Sequence, residues 1–222
     1  DNHRVAHIPQ AEQRLQQALR QIRSPLADAP LQRLSDTGLA HDHVRLWGTG
    51  WLARVPKQSQ LDLPAADNLE YQRHCFERAA AGGHTPRLHG VLPISPLLPR
   101  GALLVEHVVG RPARLPQDLR ALARALASLH RLPVPDQRAP LMAPADPLAD
   151  LLAEVDRQAG FLDGPVDPVS RAAIEAERRS LQPLLARPGR PPVCLVSFDA
   201  HPGNFVVRPD GQAVLVDLEK CR

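Results

Sequence analysis

The sequence predicts an α+β protein with two lobes, and three observations support this fold class. Residues 34–109 show the pattern of a small sheet with one helix, in the order strand, strand, helix, strand, strand. After Gly110 the apolar spacing becomes mostly helical. A chain of 222 residues is long enough to give each lobe its own core. We therefore expect an N-terminal lobe over residues 1–109 and a C-terminal lobe over residues 110–222.

The N-terminal lobe is expected to begin with an amphipathic helix, because apolar side chains recur at spacings of four and three in residues 10–23. Two strands then flank the turn GTG at residues 48–50. A second helix is predicted from residue 68 to residue 81, with Asp67 as its cap and Glu70 completing a capping box. Two further strands are predicted in the segments RLHGVL and GALLVEHVV.

The C-terminal lobe is expected to be mostly helical. Helical patterns cover residues 116–132, 147–160 and 168–187, and a proline-rich loop separates the first two. The last segment, VCLVSFDAHPGNFVVRPDGQAVLVDLEK at residues 193–220, is different. It predicts strands in VCLVSF, NFVV and AVLVD, joined by polar loops.

The composition argues against several classes of protein. A net charge of +3 with scattered arginines does not indicate nucleic-acid binding. The chain has neither an apolar run of about 18 residues nor the pattern of a signal peptide, so we expect no membrane partner. Its three cysteines form no CxxC pair, which fits a reducing cytoplasm better than a disulfide scaffold. We therefore expect a cytoplasmic protein.

Lysine is rare in this chain. Of the 27 lysines and arginines, only Lys57 and Lys220 are lysines. An ammonium is a compact, mobile charge and a guanidinium is a planar fork, so a retained lysine indicates a position that needs the ammonium. This argument favours a functional role for Lys57. For Lys220, a functional role and survival by chance both stay open.

Two apolar runs near the end of the sequence are each followed by an aspartate. Asp199 follows VCLVSF and Asp217 ends AVLVD, which places two carboxylates at the same rim of a small hairpin-like unit. Asn204 lies between them along the chain. An amide oxygen and a carboxylate suit Mg²⁺ bound beside a polyphosphate, and the other aspartate could take a proton from an attacking hydroxyl. An ordinary polar loop and turn remain the alternative interpretation.

These motifs resemble those of a known family. SFDAHPGN followed by VLVDLE is similar to the catalytic loop, usually H-G-D-x-x-x-x-N, and the metal-binding segment of the aminoglycoside phosphotransferase family. That family includes choline-kinase-like and homoserine-kinase-like enzymes and belongs to the protein-kinase-like superfamily. The resemblance extends over residues 34–222. It implies a two-lobed protein-kinase-like fold, with a small antiparallel sheet and one helix in a nucleotide-binding N-terminal lobe and a mostly helical C-terminal lobe.

The resemblance also implies roles for individual residues. Asp199 matches the catalytic aspartate, and Asn204 and Asp217 match the ligands of Mg²⁺. Lys57, in LARVPK, stands where the strand-borne lysine of the family holds the α- and β-phosphates of the nucleotide. The implied cofactors are Mg²⁺ and ATP, with GTP as the alternative nucleotide.

Further positions complete the implied nucleotide site. Glu70 is the best match for the helix glutamate that pairs with the lysine, unless it only caps its helix, in which case Glu77 is the alternative partner. Backbone groups from Glu106 to Val108 match the hinge that hydrogen-bonds the adenine. Gly38 is the only glycine in the segment that matches the phosphate-covering loop.

The sequence departs from the family pattern in the catalytic loop and at its end. Ser197 and Phe198 stand where the motif has His and Gly, which puts the order of the catalytic loop in question. The chain stops five residues after Asp217, whereas family members continue with several helices. The C-terminal lobe is therefore expected to be truncated.

The function implied by the resemblance is transfer of the γ-phosphoryl group of ATP to a hydroxyl of a small molecule, such as an aminoglycoside, choline or another alcohol. The alternative is a non-catalytic, pseudokinase-like protein that binds nucleotide. A protein kinase is disfavoured because the long activation segment is absent. Acidic residues between positions 146 and 167 fit either a cationic acceptor or the solvated face of helices, so the acceptor stays open.

Overall fold

The computed structural model describes residues 11–34, 40–160, 166–187, 189 and 192–222. The chain divides into two compact units. The first unit comprises Asp1–Leu141 and Cys194–Arg222, and the second is Met142–Val193. The boundary predicted near Gly110 lies inside the first unit and stays a prediction.

A five-stranded antiparallel sheet forms the first part of the larger unit, with strand order β1-β2-β3-β5-β4. The predicted order of strand, strand, helix, strand, strand is confirmed, and the short β1 precedes it. The elements are α1 (Ala11–Gln21), β1 (Leu31–Arg33), β2 (His41–Leu46), β3 (Trp51–Pro56), α2 (Ala65–Ala80), β4 (Leu88–Leu92) and β5 (Ala102–Glu106).

The two faces of this sheet have different partners. On one face, Leu15 and Leu19 of α1 are fully buried in a cluster that includes Val44, Ala53 and Val55. Successive side chains of a strand point to opposite faces, so Arg54, between Ala53 and Val55 in β3, points away from α1. The other face meets α2, whose buried side chains include Tyr71, Gln72, Cys75 and Phe76.

The start of α2 differs from its prediction. The helix begins at Ala65 after Pro64, and no side chain caps it. Asp67 lies within the first helical turn instead of preceding the helix, so the predicted capping box of Asp67 and Glu70 is wrong. Pro64 is itself the cap residue, with an extended ψ of 156°, and its carbonyl oxygen accepts the first helical hydrogen bond, from the amide of Asn68 at 2.9 Å. The helix therefore begins three residues before the predicted start at residue 68.

A three-stranded antiparallel sheet and one helix form the rest of the larger unit. The strands are β6 (Arg111–Pro112), β7 (Phe205–Val207) and β8 (Ala213–Leu215), in the order β6-β7-β8, and the helix is α3 (Leu119–His130). Helix α3 buries Leu122, Ala125 and Leu129. The turn between β7 and β8 needs a positive φ of 84° at Gly211, which glycine adopts without a steric cost.

The strand predicted in VCLVSF does not form a regular ladder. Residues 192–196 belong to no helix or strand, and Ser197 pairs with Cys221 as a single bridge. Backbone hydrogen bonds on both sides continue this pairing, from Val196 N to Arg222 O and from Phe198 N to Lys220 O. The prediction of a regular strand is wrong, because among the described residues this pairing joins only Val196–Phe198 to Lys220–Arg222.

The second unit contains α4 (Pro147–Gly160) and α5 (Pro168–Leu185). Asp167 caps α5 by accepting hydrogen bonds from the amides of Val169 and Ser170. Several acidic residues of this region bond arginines at the surface, among them Glu154 with Arg157. This favours a solvated helix face over an acceptor site for those carboxylates. In the part of the chain that the structure describes, no helix is long and apolar enough to cross a membrane.

Candidate active site

The β7–β8 hairpin places two of the predicted site residues at one end. Phe205 pairs with Leu215, and the next backbone contact joins Val216 N to Asn204 O at 2.9 Å. Asn204 therefore immediately precedes β7, and Asp217 lies two residues beyond the end of β8. The hairpin register brings Asn204 and Asp217 together, as the sequence predicted.

The loop before β7 joins Asp199 to the same end. The side-chain Nδ2 of Asn204 donates to the backbone oxygen of Asp199 at 2.7 Å, and the amide of His201 donates to the same oxygen at 2.9 Å. A single 3₁₀ turn, Pro202–Asn204, follows, and the Nδ1 of His201 accepts from the amide of Gly203 at 3.1 Å. Asp199 is thus held by its main chain, which leaves its carboxylate to interact with other groups.

His201 has a structural role that the sequence analysis missed. It ends the loop as the cap of the 3₁₀ turn, and its Nε2 lies 4.0 Å from Oδ1 of Asp199. The available signal was Pro202, because a proline at the first position of a helical turn marks the residue before it as the cap.

Arg54 is the buried cation of this site, and it too was missed. The residue is 3% exposed and lies on the face of β3 opposite to Ala53 and Val55. Its Nη2 donates to Oδ1 of Asp217 at 2.9 Å, and its Nη1 donates to Val216 O at 3.0 Å. The alternation of side chains along β3 could have revealed Arg54 from the sequence, because it places Arg54 on the face of the strand opposite to the residues that face α1.

Lys57 lies just beyond the end of β3. Its Nζ is 3.8 Å from Oδ1 of Asp42, which also bonds Arg33, and its side chain is 37% exposed. Asp42 is on the α1 face of β2, because it alternates with His41 and shares its face with Val44. The phosphate-binding role of Lys57 stays a prediction, and Arg54 is the cation that the structure places beside Asp217.

Glu70 lies on the solvent side of α2. Its two carboxylate oxygens accept from Arg73 at 2.9 and 2.6 Å, and the hydrogen bonds from Arg73 lower the pKa of Glu70. Glu77 also bonds Arg73. The structure pairs Lys57 with Asp42 and Glu70 with Arg73, so it does not bring the predicted Lys57–Glu70 pair together.

His41, Gln72 and Glu219 form a buried polar network close to Asp217. The Nε2 of His41 is 3.0 Å from Oε1 of Gln72, and its Nδ1 is 3.5 Å from Oε2 of Glu219. Burial, together with the positive charge of Arg54, lowers the pKa of His41 to about 3. Burial and the charge of Asp217 raise the pKa of Glu219 to about 7. His41 is therefore neutral at pH values near 7, and Glu219 is close to its midpoint.

Asp217 keeps its charge despite its surroundings. Burial alone would raise the pKa of Asp217, but the positive charge of Arg54 opposes burial and the net effect lowers that pKa below its usual value. The amide of Glu219 adds a hydrogen bond at 3.3 Å to Oδ1. Asp217 is thus ionised at neutral pH, which is the state that binds a cation.

The segment after β5 connects the two sheets. Strand β5 belongs to the five-stranded sheet and β6 to the three-stranded one, so residues 107–110 join them. The carboxylate of Glu106 accepts from Arg208 at 2.6 Å, and the amides of Glu106 and His107 bond Arg87 O and Gly50 O. Contact of Glu106 and Val108 with adenine stays a prediction.

The chain matches a protein-family model over most of its length. The match is to the phosphotransferase enzyme family and covers residues 31–222. The chain belongs to this family. The match includes all the candidate site residues named above. Comparison of this phosphotransferase with curated protein sequences finds no match.

Solved structures share the fold of the phosphotransferase. The aminoglycoside-3'-phosphotransferase of type VIII is 25% identical, with a TM-score of 0.53, over 94% of this chain and 77% of that one. Choline kinase LicA from Streptococcus pneumoniae is 13% identical, with a TM-score of 0.58, over 93% and 69%. The GDP and kanamycin complex of APH(2")-IIia is 17% identical, with a TM-score of 0.56, over 86% and 67%. The predicted protein-kinase-like α+β fold is confirmed, and this chain is shorter than these three structures.

The oxygen donors of the phosphotransferase suit Mg²⁺. Among the described residues, no group of three or more His, Cys, Asp or Glu is placed to hold a metal by itself. Mg²⁺ in phosphate-transferring sites takes one or two protein oxygens and completes its shell with phosphates and water. Asp217 supplies an ionised carboxylate. The nitrogen of the Asn204 amide is engaged by Asp199 O, so the amide oxygen is the atom left for a cation. Gly38, predicted in the phosphate-covering loop, lies outside the described residues.

We expect the Glu219→Gln variant of the phosphotransferase to become less stable on acidification than the parent chain. The pKa of His41 falls from 6.5 to about 3 on folding, so its contribution to stability is lost as the pH falls through this range. The pKa of Glu219 rises from 4.5 to about 7, so its contribution is present at acid pH and lost as the pH rises through this range.

The two contributions oppose each other in the parent chain. Between about pH 7 and about pH 5 each changes by about 2 kcal/mol, with opposite sign. Glu219→Gln removes the contribution of Glu219, so the contribution of His41 is no longer cancelled. Urea unfolding of this variant should then show a free energy of unfolding that is about 2 kcal/mol lower at about pH 5 than at about pH 7. His41→Gln should show the opposite trend and gain stability on acidification. Equal pH dependence in all three proteins would contradict the opposing pair.

Proposed function

We propose that the chain transfers the γ-phosphoryl group of ATP to a hydroxyl of a small molecule. One observation carries this proposal: Asn204 bonds both Asp199 O and Val216 N, so that Asp199, Asn204 and Asp217 lie at one end of the β7–β8 hairpin. A base, two oxygen donors and a nearby cation are the groups that phosphoryl transfer requires. Family membership supports the same reaction class.

Asp199 acts as the base in this proposal. The acceptor hydroxyl gives its proton to the Asp199 carboxylate while its oxygen forms a bond to the γ-phosphorus. The bond from this phosphorus to the β–γ bridging oxygen breaks, and ADP leaves with the electron pair. The main-chain bonds from Asn204 and His201 fix the position of the loop that carries the base. Such positioning supplies much of the catalysis in phosphoryl transfer.

Asn204 and Asp217 would hold Mg²⁺ through the Asn204 amide oxygen and the Asp217 carboxylate. When bound, Mg²⁺ neutralises charge on the β- and γ-phosphate oxygens. Arg54 fixes Asp217 by two hydrogen bonds, from Nη2 to its carboxylate and from Nη1 to the adjacent Val216 O. The geometry therefore favours Arg54 as the strand-borne cation of the site, while Lys57 remains the alternative given by the sequence.

The nucleotide and the acceptor are each proposed as a class of compound. One structural relative was solved with GDP and kanamycin, and the choline kinase relative was also solved with AMP. We propose ATP as the donor, with GTP as the alternative, bound near Glu106 to Val108. The acceptor class is a small alcohol such as an aminoglycoside or choline, in line with the names of the relatives. We propose no contact with nucleic acid or membrane.

A thermal-shift titration with MgATP and MgGTP tests nucleotide binding. At about 100 times the Kd, a ligand adds about 2.7 kcal/mol of stability, which raises the Tm of a chain of this size by roughly 5–10 °C. Asp217→Ala should lose the metal-dependent part of this rise. Asp210→Ala is the matched control, because Asp210 lies in the turn at the opposite end of the same hairpin and caps Gln212 N. No rise in the parent chain would contradict the proposal.

A non-catalytic nucleotide-binding protein is the second candidate. Ser197, at the position of the motif histidine, is buried, and its hydroxyl has no hydrogen-bond partner among the described residues. It therefore does not replace the loop support expected of that histidine. Binding of MgATP without phosphate release or transfer would favour this candidate over the enzyme.

A further inference from the structure

Lys220, one of only two lysines in the chain, lies directly on the candidate base. Its Nζ is 3.3 Å from Oδ2 of Asp199, and the two side chains are 30% and 34% exposed. The sequence left the role of this lysine open. We propose that Lys220 is a positioning residue that fixes the carboxylate of Asp199 for proton transfer. The inference rests on the proposed function of the same site.

The backbone of both partners is fixed, so their contact follows from the fold. The amide of Phe198 donates to Lys220 O at 3.2 Å, and Ser197 pairs with Cys221 in the next register position. On the other side of this pairing, Val196 and Arg222 exchange two hydrogen bonds of 3.0 and 2.9 Å. The segment after Asp217 thus runs antiparallel to the segment before Asp199. This register sets Lys220 beside the base.

The chemistry of the contact explains why a lysine is suited to the position. A carboxylate that acts as a base needs one oxygen free to receive the proton. The ammonium of Lys220 is a point charge on Oδ2, whereas an arginine fork tends to bind both oxygens of a carboxylate. Oδ1, which lies 4.0 Å from Nε2 of His201, is then the oxygen that receives the proton of the hydroxyl. Of the other lysines and arginines of this protein, all but Lys57 are arginines. The lysine at position 220 bonds one carboxylate oxygen of Asp199 and leaves the other to accept the proton.

The role of Lys220 predicts a specific kinetic pattern. Lys220→Met should lower kcat by about 10- to 100-fold, which corresponds to the loss of one hydrogen bond between charged groups. The KM for MgATP and the Tm should stay unchanged, because the side chain contacts the base and not the hairpin ligands. Lys220→Arg should retain more activity than Lys220→Met, because it keeps the charge, but less than the parent chain.

The experiment measures phosphate release from MgATP with water as acceptor, together with nucleotide binding by thermal shift, on the full chain. Arg157→Met is the control, because it removes the same charge from an exposed ion pair with Glu154. Equal kcat in the parent chain and Lys220→Met would overturn the inference and leave the proposed function intact. So would a loss that appears only in KM or Tm, or an arginine variant as impaired as the methionine variant. A parent chain that binds MgATP but neither releases phosphate nor transfers it to an alcohol acceptor would overturn the proposed function, and the inference with it.

Discussion

Asp199→Asn is expected to bind MgATP like the parent chain and to lose about 10²- to 10⁴-fold of its turnover, the usual contribution of a positioned base. The substitution keeps the size of the side chain and removes its ability to accept the proton. Its loop should survive, because Asn204 and His201 bond the backbone oxygen of residue 199 and not its side chain. Steady-state phosphate release measures the turnover of the variant, and thermal shift with MgATP measures its nucleotide binding.

Asp210→Asn is the matched control for this variant, because it makes the same chemical change in the β7–β8 turn, where Asp210 only accepts from Gln212 N. Near-normal turnover of Asp199→Asn would show that another group takes the proton. Loss of MgATP binding together with turnover would indicate that Asp199 acts on the nucleotide or the metal. Both results would require a different assignment of the base.

The secondary structure was largely predictable because it depends on local patterns. Helices α4 and α5 and strands β2 to β5 follow from apolar periodicity, and the β7–β8 hairpin follows from two apolar runs around a turn. The failures are also local in origin. Asp67 and Glu70 have the spacing of a capping box, but α2 begins at Ala65 with Pro64 as its cap, so this pattern lies inside the helix. In the VCLVSF run, backbone pairing with the segment after β8 is limited, within the described ranges, to Val196–Phe198, and apolar character alone did not make the run a regular strand.

The site was predictable where one hairpin carries it. Asn204 and Asp217 lie at the same end of the hairpin because β7 and β8 are close in sequence and pair in register. Arg54 and Asp217 are 163 residues apart, and their contact depends on how two sheets come together. Lys57 was predicted from the scarcity of lysine and from its match to the family lysine, and its role stays a prediction. Strand alternation adds Arg54 as the residue on the opposite face from Ala53 and Val55.

The network of His41, Gln72 and Glu219 was even harder to predict from the sequence. Its members come from β2, α2 and the segment after β8, and each is an ordinary polar residue in its own segment. Only the tertiary fold buries them together. The shifts in the pKa of His41 and of Glu219 arise from that burial, so they could not be inferred before the fold was known.

Arg54→Met is expected to lower turnover by at least about 10²-fold and to weaken MgATP binding, since it removes the guanidinium that fixes Asp217, the proposed metal ligand, through two hydrogen bonds. It also leaves Asp217 next to Glu219 without its cation. Breaking a buried ion pair from one side destabilises a protein by about 3–5 kcal/mol, so urea unfolding of the variant must be measured as well. Arg54→Lys keeps the charge and should remain folded with partial activity.

The same measurements on Lys57→Met separate the two candidate cations. Lys57 contacts Asp42, which also bonds Arg33 on the α1 face, so we expect a small change in stability and near-normal MgATP binding. If Lys57→Met abolishes binding while Arg54→Met preserves it, the match of Lys57 to the family lysine outweighs the contact of Arg54 with Asp217, and Lys57 holds the phosphates. If the reverse holds, the arginine of β3 has taken the place of the family lysine. A guanidinium then fixes the metal-binding aspartate with two directed hydrogen bonds where an ammonium would provide a single charge.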